Sequence, residues 1–568
     1  MIELKNVSFA YSDTEAAILE DVSVSIPTGS FVAVVGDNGA GKSTFCKLLN
    51  GIIPHFMDGN FRGDILIDGQ SIKKHSPAQL AHHVGYVYQD FENQIIRPRV
   101  LDDASYGLLN EGQENYLQIT MEVLATLDLA HLADEFVWQL SGGQKHLLAL
   151  AGVIVMSPDT IVLDEPIAQL DPLHAQKIYE NLRYLNQELG KTIIVIEHNA
   201  EFIGKYCDHV LFLKNRNIGW FLPVDEALQN VEELMQGGVY PPQVTMLAHE
   251  MIQRGYSNNK ILPTNMEQAI AFMRENEKYL VTPQLEIPKR DEVDEPFIEM
   301  SNLMVEYARI NEKPKSVMND LNLTIYQGEK VAIIGNNGAG KSSLMKLLIG
   351  LIKPTSGCIK IAQKDIIQMN PEAISDILGY VYQNAENMFI EDSIEKDIAF
   401  SLKARGQKDF QQRTEELLEQ FDLTALRHRD GRLLSGGQMR RASLAVGISL
   451  SPKCLLLDEP TASLDLATRK RITSTLKELS NSIETVLIAT HDMQLVAEWA
   501  SRIVVMHNGE IIGDGSRETI FADTKLLKKA GVQVPEIIEL GQHVKRDLGY
   551  SLAEFVQRLE MGEVSGRK

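Results

Sequence analysis

The chain has 568 residues, 44% of them hydrophobic, which describes ordinary globular protein too long for one core; length alone suggests roughly four compact units. Its 77 acidic and 55 basic residues leave a formal net charge of −22, which argues against a sequence-independent grip on nucleic-acid phosphates. No apolar run approaches the ~20 residues of a membrane span, the opening MIELK lacks a leader profile, and the four cysteines form no CxxC pair, so buried thiols in a cytoplasmic protein are expected.

Alternating apolar positions open the chain (Ile2, Leu4, Val7, Phe9, Tyr11, then Val22, Val24, Ile26) and predict antiparallel strands. A buried run at 31–35 follows, then GDNGAGKST at 36–44, then FCKLL: strand, glycine-rich loop, helix start. The pattern G-x-x-x-x-G-K-[ST] is a phosphate cradle. Gly36, Gly39 and Gly41 let backbone N–H groups turn inward, with Asn38 and Thr44 in the same loop, and the new helix offers its positive end. Lys42 reaches the outer phosphates and the Ser43 hydroxyl suits magnesium. A strand pair around Ile65, Leu66 and Ile67 turns at Asp68-Gly69, and a helical stretch from about 101 to 132 leads to LSGGQ at 140–144. The apolar run 160–163 predicts a buried parallel strand that delivers Asp164 and Glu165 at its carboxyl end. A helix over 173–189 and a strand over 192–196 then deliver Glu197 and His198. Strands alternating with helices, with polar chemistry at strand ends, predict a doubly wound α/β fold.

The whole plan recurs. GNNGAGKSS at 335–343 supplies Gly335, Asn337, Gly338, Gly340, Lys341, Ser342 and Ser343. Lys42 lies 299 residues before Lys341; Gln89 precedes Gln383, Ser141 precedes Ser435 and Glu165 precedes Glu459 by 294 each; His198 precedes His491 by 293. Such steady offsets mean a duplicated domain, with extra material at 54–59 in the first copy. Similarity between 238–244 and 531–537 gives each copy a small helical tail. Residues 281–295, with dense charge and several prolines around them, read as a linker, so the expected domains are 1–280 and 296–568.

Phosphate loop, a glutamine after a strand (Gln89, Gln383), LSGGQ, apolar strand with Asp-Glu, and strand with His, in that order and twice over, resemble the ATP-binding-cassette ATPases along nearly the whole chain. The resemblance implies two tandem α/β cassettes, each with an antiparallel β subdomain, a helical signature subdomain and a helical extension, binding ATP and Mg2+. It implies that Asp164 and Asp458 stand beside magnesium with Ser43, Ser342, Gln89 and Gln383. Glu165 and Glu459 would act on the attacking water, and His198 and His491 would reach the γ-phosphate. Tyr11 and Tyr307 match the aromatic that stacks on adenine, with strand packing as the alternative. Ser141, Gly142, Gly143 and Gln144, like Ser435, Gly436, Gly437 and Gln438, open a helix as a second anion site. In the family that site faces the other domain's ATP, so Lys42 would pair with Ser435 and Lys341 with Ser141 inside one chain. Asp171 and Asp465 belong to the loop after each glutamate.

The first copy departs from the pattern at two places. Leu147 stands where the second has Arg441, and EPIAQLD at 165–171 stands against EPTASLD. The site that borrows Ser141 is therefore expected to be slower, and Glu165→Gln to cost more activity than Glu459→Gln. Acidic-Asn pairs after both glutamines (Glu92-Asn93, Glu386-Asn387) and the Pro-Pro-Gln-Val tail resemble the ATPase of energy-coupling-factor importers. That implies a peripheral protein on the cytoplasmic membrane face, docked on a transmembrane scaffold with a separate substrate-binding membrane subunit. A vitamin, vitamin precursor or transition-metal ion would be the cargo, and no nucleic acid is expected. The alternatives are a soluble tandem cassette acting on ribosomes, whose linker is long and basic, and the tandem ATPase of sugar importers, in which one site is usually degraded.

Overall fold

The computed structural model describes residues 1–12, 16–167, 170, 172–280, 295–307, 315–462, 464, 466–479 and 483–566. The chain divides into two compact units, Met1–Leu280 and Val281–Lys568. All of the linker at 281–295 except Glu295 lies outside the described residues.

The first unit contains strands β1 (Ile2–Tyr11), β2 (Leu19–Ile26), β3 (Phe31–Gly36), β4 (Gly59–Ile67), β5 (Gln70–Ser71), β6 (Val84–Val87), β7 (Thr160–Asp164), β8 (Thr192–Ile196), β9 (His209–Lys214) and β10 (Asn217–Pro223). They build an antiparallel sheet in the order β2-β1-β4-β5 and a larger sheet in the order β10-β9-β3-β8-β7-β6. The larger sheet is parallel except for its edge strand β10. Strand β3 explains the continuous apolar run: Phe31, Ala33 and Val35 enter one core while Val32 and Val34 enter the other. A strand covered on both faces has no polar side. Asp164 pairs with Ile196, and Val34 also pairs with Ile196, so the carboxyl ends of β3, β7 and β8 share one edge of the sheet. That edge is where a doubly wound sheet binds ligands.

The turn expected at Asp68-Gly69 joins β4 to β5, with Ile67 opposite Gln70 and positive φ at both turn residues (48° and 79°). The extra material at 54–59 precedes a longer β4, which runs back along β1 until Gly59 lies opposite Tyr11. The helical stretch from 101 to 132 is broken into Val100–Ala104, Tyr106–Asn110 and Tyr116–Thr126.

The second unit repeats the topology. Its strands are β11 (Pro296–Tyr307), β12 (Lys315–Tyr326), β13 (Lys330–Ile334), β14 (Ser356–Ile361), β15 (Lys364–Asp365), β16 (Leu378–Val381), β17 (Cys454–Asp458), β18 (Thr485–Thr490), β19 (Arg502–His507) and β20 (Glu510–Ser516). The sheets run β12-β11-β14-β15 and β16-β17-β18-β13-β19-β20. Helices Gln243–Gln253 and Met266–Glu275 form the first unit's tail; Glu536–Val544 and Leu552–Gly566 form the second's.

Candidate active site

Each glycine-rich loop leaves its strand by a turn that only glycine fits. Gly36 has φ 151°, and a Cβ there would lie 2.4 Å from the Leu213 carbonyl oxygen; Gly335 has φ 154° and would meet that of Met506 at 2.3 Å. Gly41 (φ 94°) and Gly340 (φ 102°) cap helices Lys42–Leu49 and Lys341–Leu348. The lysines fold back over the loop: Lys42 Nζ donates to the Gly36 and Asp37 carbonyls at 2.8 and 3.0 Å, and Lys341 Nζ to those of Gly335 and Asn336 at 2.7 and 3.2 Å. A nearly buried ammonium beside a ring of backbone N–H groups at a helix start fits a polyphosphate.

Asp164 and Asp458 end β7 and β17, both buried. The Asp164 carboxylate accepts from the Ser43 hydroxyl and from the Tyr86 phenol, the latter at 3.1 Å. Asp458 accepts from Ser342 Oγ at 3.1 Å and from the Tyr380 phenol at 3.2 Å. Burial pushes both aspartates above the ordinary carboxylate range, against the serine hydrogen bonds. A buried carboxylate facing a hydroxyl is an all-oxygen donor set that fits a hard divalent cation.

The next residue in each unit, Glu165 or Glu459, adopts a left-handed backbone, φ 51° and 46°. A non-glycine residue there is strained by about 1–3 kcal/mol and persists only where its surroundings enforce it. Backbone bonds to Ile196 (3.2 Å) and Ala489 (2.8 Å) do so. Glu165 Oε2 accepts from Gln89 Nε2 at 2.8 Å, and Oε1 lies 3.4 Å from His198 Nε2. Glu459 is more enclosed: His491 Nδ1 lies 2.9 Å away, Thr490 Oγ1 donates at 2.9 Å, and Lys341 Nζ is at 3.9 Å. Burial works to raise the pKa of both glutamates, but hydrogen bonds and charge from the histidines and lysines outweigh it, leaving them below the ordinary carboxylate value. For His491, burial disfavours the charge, yet the Glu459 hydrogen bond wins and lifts it.

Tyr11 and Tyr307, at the ends of β1 and β11, bring their hydroxyls within 3.1 Å of Thr44 Oγ1 and 3.2 Å of Ser343 Oγ, on the first turn of the loop helix. Tyr11 is half-buried and packs edge-on against Phe9 at 4.9 Å, on the margin of the core, while Tyr307 is exposed; both border the cradle. The signature serine Ser141 caps helix Gly142–Ile154: its Oγ accepts from Gln144 N at 3.3 Å, and Gln144 Oε1 accepts from Ser141 N at 2.9 Å. Ser435 N likewise donates to Gln438 Oε1, at 3.3 Å, at the start of helix Gly436–Gly447. Gly143 and Gly437 are pressed against His174 and Thr468, each 2.6 Å from an added Cβ, while Gly142 has open space and a Cβ at Gly436 would only touch Leu464 at 3.7 Å. Asp171, Asp465 and the departure at Gln169 lie outside the described residues.

The structure therefore gathers phosphate-loop lysine, serine, aspartate, glutamate and histidine in each unit, and Gln89 with them in the first; the Gln383 side chain is exposed. Sequence reading missed Tyr86 and Tyr380, which look like strand residues but aim their hydroxyls at the aspartates. It also gave Glu197 no role. That buried carboxylate accepts from Tyr179 OH (2.7 Å) and from the His198 and Asn199 N–H groups (2.8 and 2.9 Å), and so fixes the histidine turn where the second unit uses Thr490. The Leu147 departure has a structural explanation. A cation on the next helix reaches the matching aspartate in both units (Lys177 to Asp128 at 2.8 Å, Arg471 to Asp422 at 3.3 Å); the second unit adds Arg441, which binds the Phe421 carbonyl (2.9 Å) and the Asp422 carboxylate (2.8 Å), while Leu147 joins the core.

Strand-end carboxylates, a lysine-bearing phosphate loop and a serine-capped LSGGQ helix, present twice, define a tandem nucleoside-triphosphatase. The ABC transporter family profile matches residues 19–168 and 318–462, and the chain belongs to that family. It is an ABC ATPase that hydrolyses ATP and uses ATP with Mg2+. A protein of Methanosarcina acetivorans, provisionally named an ABC transporter ATP-binding protein, is 32% identical over 94% of this chain and 89% of its own length. Another so named, from Caldanaerobacter subterraneus subsp. tengcongensis, is 29% identical over 96% of both. Among solved structures, cbiO1 of Clostridium perfringens, part of the ABC transporter complex cbiONQ, is 29% identical over 44% of this chain and all of its own, with a TM-score of 0.37. A dimeric ATP-binding cassette bound to ADP and phosphate is 26% identical over 39% of this chain and 98% of its own, with a TM-score of 0.36. Among the described residues, no helix is long and apolar enough to cross a membrane.

Proposed function

We propose that this ATPase is the energy-coupling subunit of an importer of the energy-coupling-factor type, working from the cytoplasmic membrane face and driving micronutrient uptake through separate membrane subunits. The carrying observation is the path of the two glutamine segments. Each leaves the active-site edge at Gln89 or Gln383 and makes a short turn, Phe91–Gln94 or Ala385–Met388. Each then ends on an exposed apolar side chain, Ile96 (68% exposed) or Ile390 (62%). In the first unit the segment opens on a groove of about 320 Å³ lined by Ile95, Ile96, Pro98, Val137 and Trp138, with Glu92 and Lys145 paired at 2.6 Å on its wall. An apolar floor with a charged rim suits a partner helix. The test is to purify the full chain from solubilised native membranes and identify its companions. A multispanning scaffold with a small membrane subunit supports the reading; ribosomal proteins in their place refute it.

In this reading Lys42 and Lys341 hold the outer phosphates, and Ser43 with Asp164, like Ser342 with Asp458, hold magnesium, which neutralises phosphate charge when bound. Glu165 and Glu459 take the proton of the attacking water; His198 and His491 orient them and contact the γ-phosphate. Ser141 and Ser435 would serve as the second anion sites, the role their helix-capping geometry suits. Tyr86 and Tyr380 hold the metal-binding carboxylates through their phenols, and outer-shell partners of this kind support metal affinity ~10–100-fold. Tyr86→Phe with Tyr380→Phe should therefore raise the Mg2+ concentration needed for half-maximal binding of a fluorescent ATP analogue about tenfold, without weakening metal-free nucleotide binding. An unchanged Mg2+ requirement would remove the tyrosines from the site.

A further inference from the structure

The two signature helices differ at one buried position with consequences for the glutamate. Arg440, 3% exposed on helix Gly436–Gly447, sends its guanidinium into the glutamine loop: Nη1 donates to the Tyr382 carbonyl at 2.9 Å, and Nη2 to the Gln383 carbonyl at 2.7 Å. The same Nη2 lies 3.4 Å from the Glu459 carbonyl. One planar fork thus spans the signature helix, the glutamine loop and the strained residue that follows the metal-binding aspartate. Burial draws the guanidinium down to about 10, opposed by Asp458 and Glu459, so it is charged at neutral pH. Its Nε is buried without a partner, a destabilising arrangement kept beside the reacting groups.

The first unit has His146 in this place. Its ring packs 4.7 Å from Phe91, burial lowers its pKa to about 4, and its Nε2 has no hydrogen-bond partner. Phe91 corresponds to the smaller, buried Ala385. The units thus carry Arg with Ala and His with Phe, and only the arginine ties the loop backbone to the glutamate backbone; in the first unit the Gln89 side chain meets the Glu165 carboxylate directly, at 2.8 Å.

We propose that Arg440 is a positioning residue that fixes the Gln383 loop to Glu459 through its guanidinium, so that hydrolysis in the second unit follows the position of that loop, whereas the first unit makes its link through the Gln89 side chain on Glu165 and has no such strut from its signature helix. The proposal rests on Glu459 being the catalytic base. In the full chain, Arg440→Met should lower kcat about tenfold with the KM for ATP within about twofold, since the nucleotide cradle is untouched while the base is misplaced. Arg440→Lys, which keeps the charge and a shorter reach, should recover most of that loss. His146→Met at the matching place should leave kcat within about twofold, because no strut exists there to lose. The same reading reverses the order expected from Leu147: Glu459→Gln should cost more turnover than Glu165→Gln. If Arg440→Met does not fold, Arg440→His, the residue with which the first unit already folds, carries the same measurements. An unchanged kcat, a kcat loss matched by rising KM with no recovery in Arg440→Lys, equal losses at 146 and 440, or the opposite order of the glutamine variants would each overturn the proposal. Full hydrolysis in Glu459→Gln would instead remove the catalytic assignment on which it stands.

Discussion

Glutamine in place of both Glu165 and Glu459 should lower ATP hydrolysis at least ~100-fold while ATP stays bound, the loss expected when a general base is removed. Glutamine is nearly the size of glutamate and keeps one acceptor oxygen, so contacts such as Thr490 to Glu459 at 2.9 Å and Gln89 to Glu165 at 2.8 Å are only partly lost. The left-handed backbone at these positions is set by the strand ladders and is indifferent to the exchange. The variant loses the negative charge that the histidines and lysines hold below the ordinary carboxylate value, and with it the ability to take a proton from water at neutral pH. The phosphate loops are unaltered, so the nucleotide should accumulate in a trapped form. Light scattering on that form should give the mass of one chain if the two cassettes pair within it. Undiminished turnover would mean that another group takes the proton.

The fold was readable because its core strands obey simple rules. The run 31–35 is apolar without interruption since β3 is covered on both faces, and the register that aligns Asp164 with Ile196 follows from parallel pairing of two such strands. The phosphate loops, the Asp-Glu pairs and the capping serines were readable because spacing alone sets their geometry. What escaped were contacts made across the fold. Tyr86 lies 78 residues before the aspartate it touches, and Arg440 57 residues after the glutamine whose carbonyl it binds. Pattern drew attention to Leu147, which packs into the core; the exchange of Arg440 for His146 lies one position earlier and shows only in contacts across the fold. A side chain's reach to a distant carbonyl leaves no periodic trace in sequence.

If the proposed docking face is right, changing Glu92, Asn93, Glu386 and Asn387 to alanine should abolish membrane co-purification and solute uptake while the purified chain still hydrolyses ATP within about twofold of its normal rate, for these rim groups would set the partner's register and lie apart from the phosphate loops. All four side chains are exposed. The turns that carry them are held by other groups, among them Asn384 Oδ1 accepting from Glu386 N at 3.0 Å, so alanine preserves the backbone. Removing Glu92 breaks its 2.6 Å pair with Lys145, a partly exposed bridge worth ~1 kcal/mol or less to folding. The apolar residues beside these four divide into two groups. Phe389 is buried and belongs to the core, whereas Ile96, Ile390 and Trp138 stand in solvent, where a partner helix could cover them. Charge and amide groups at the rim would fix the register of that helix, and the exposed apolar side chains would supply most of the affinity. Alanine at the rim should therefore disorder docking more than it weakens ATP hydrolysis. A second set, Ile96, Trp138 and Ile390 changed to serine, should give the same loss of uptake by removing the floor. Were both sets to bind the membrane partner and support uptake normally, the docking face would have to lie away from the glutamine segments.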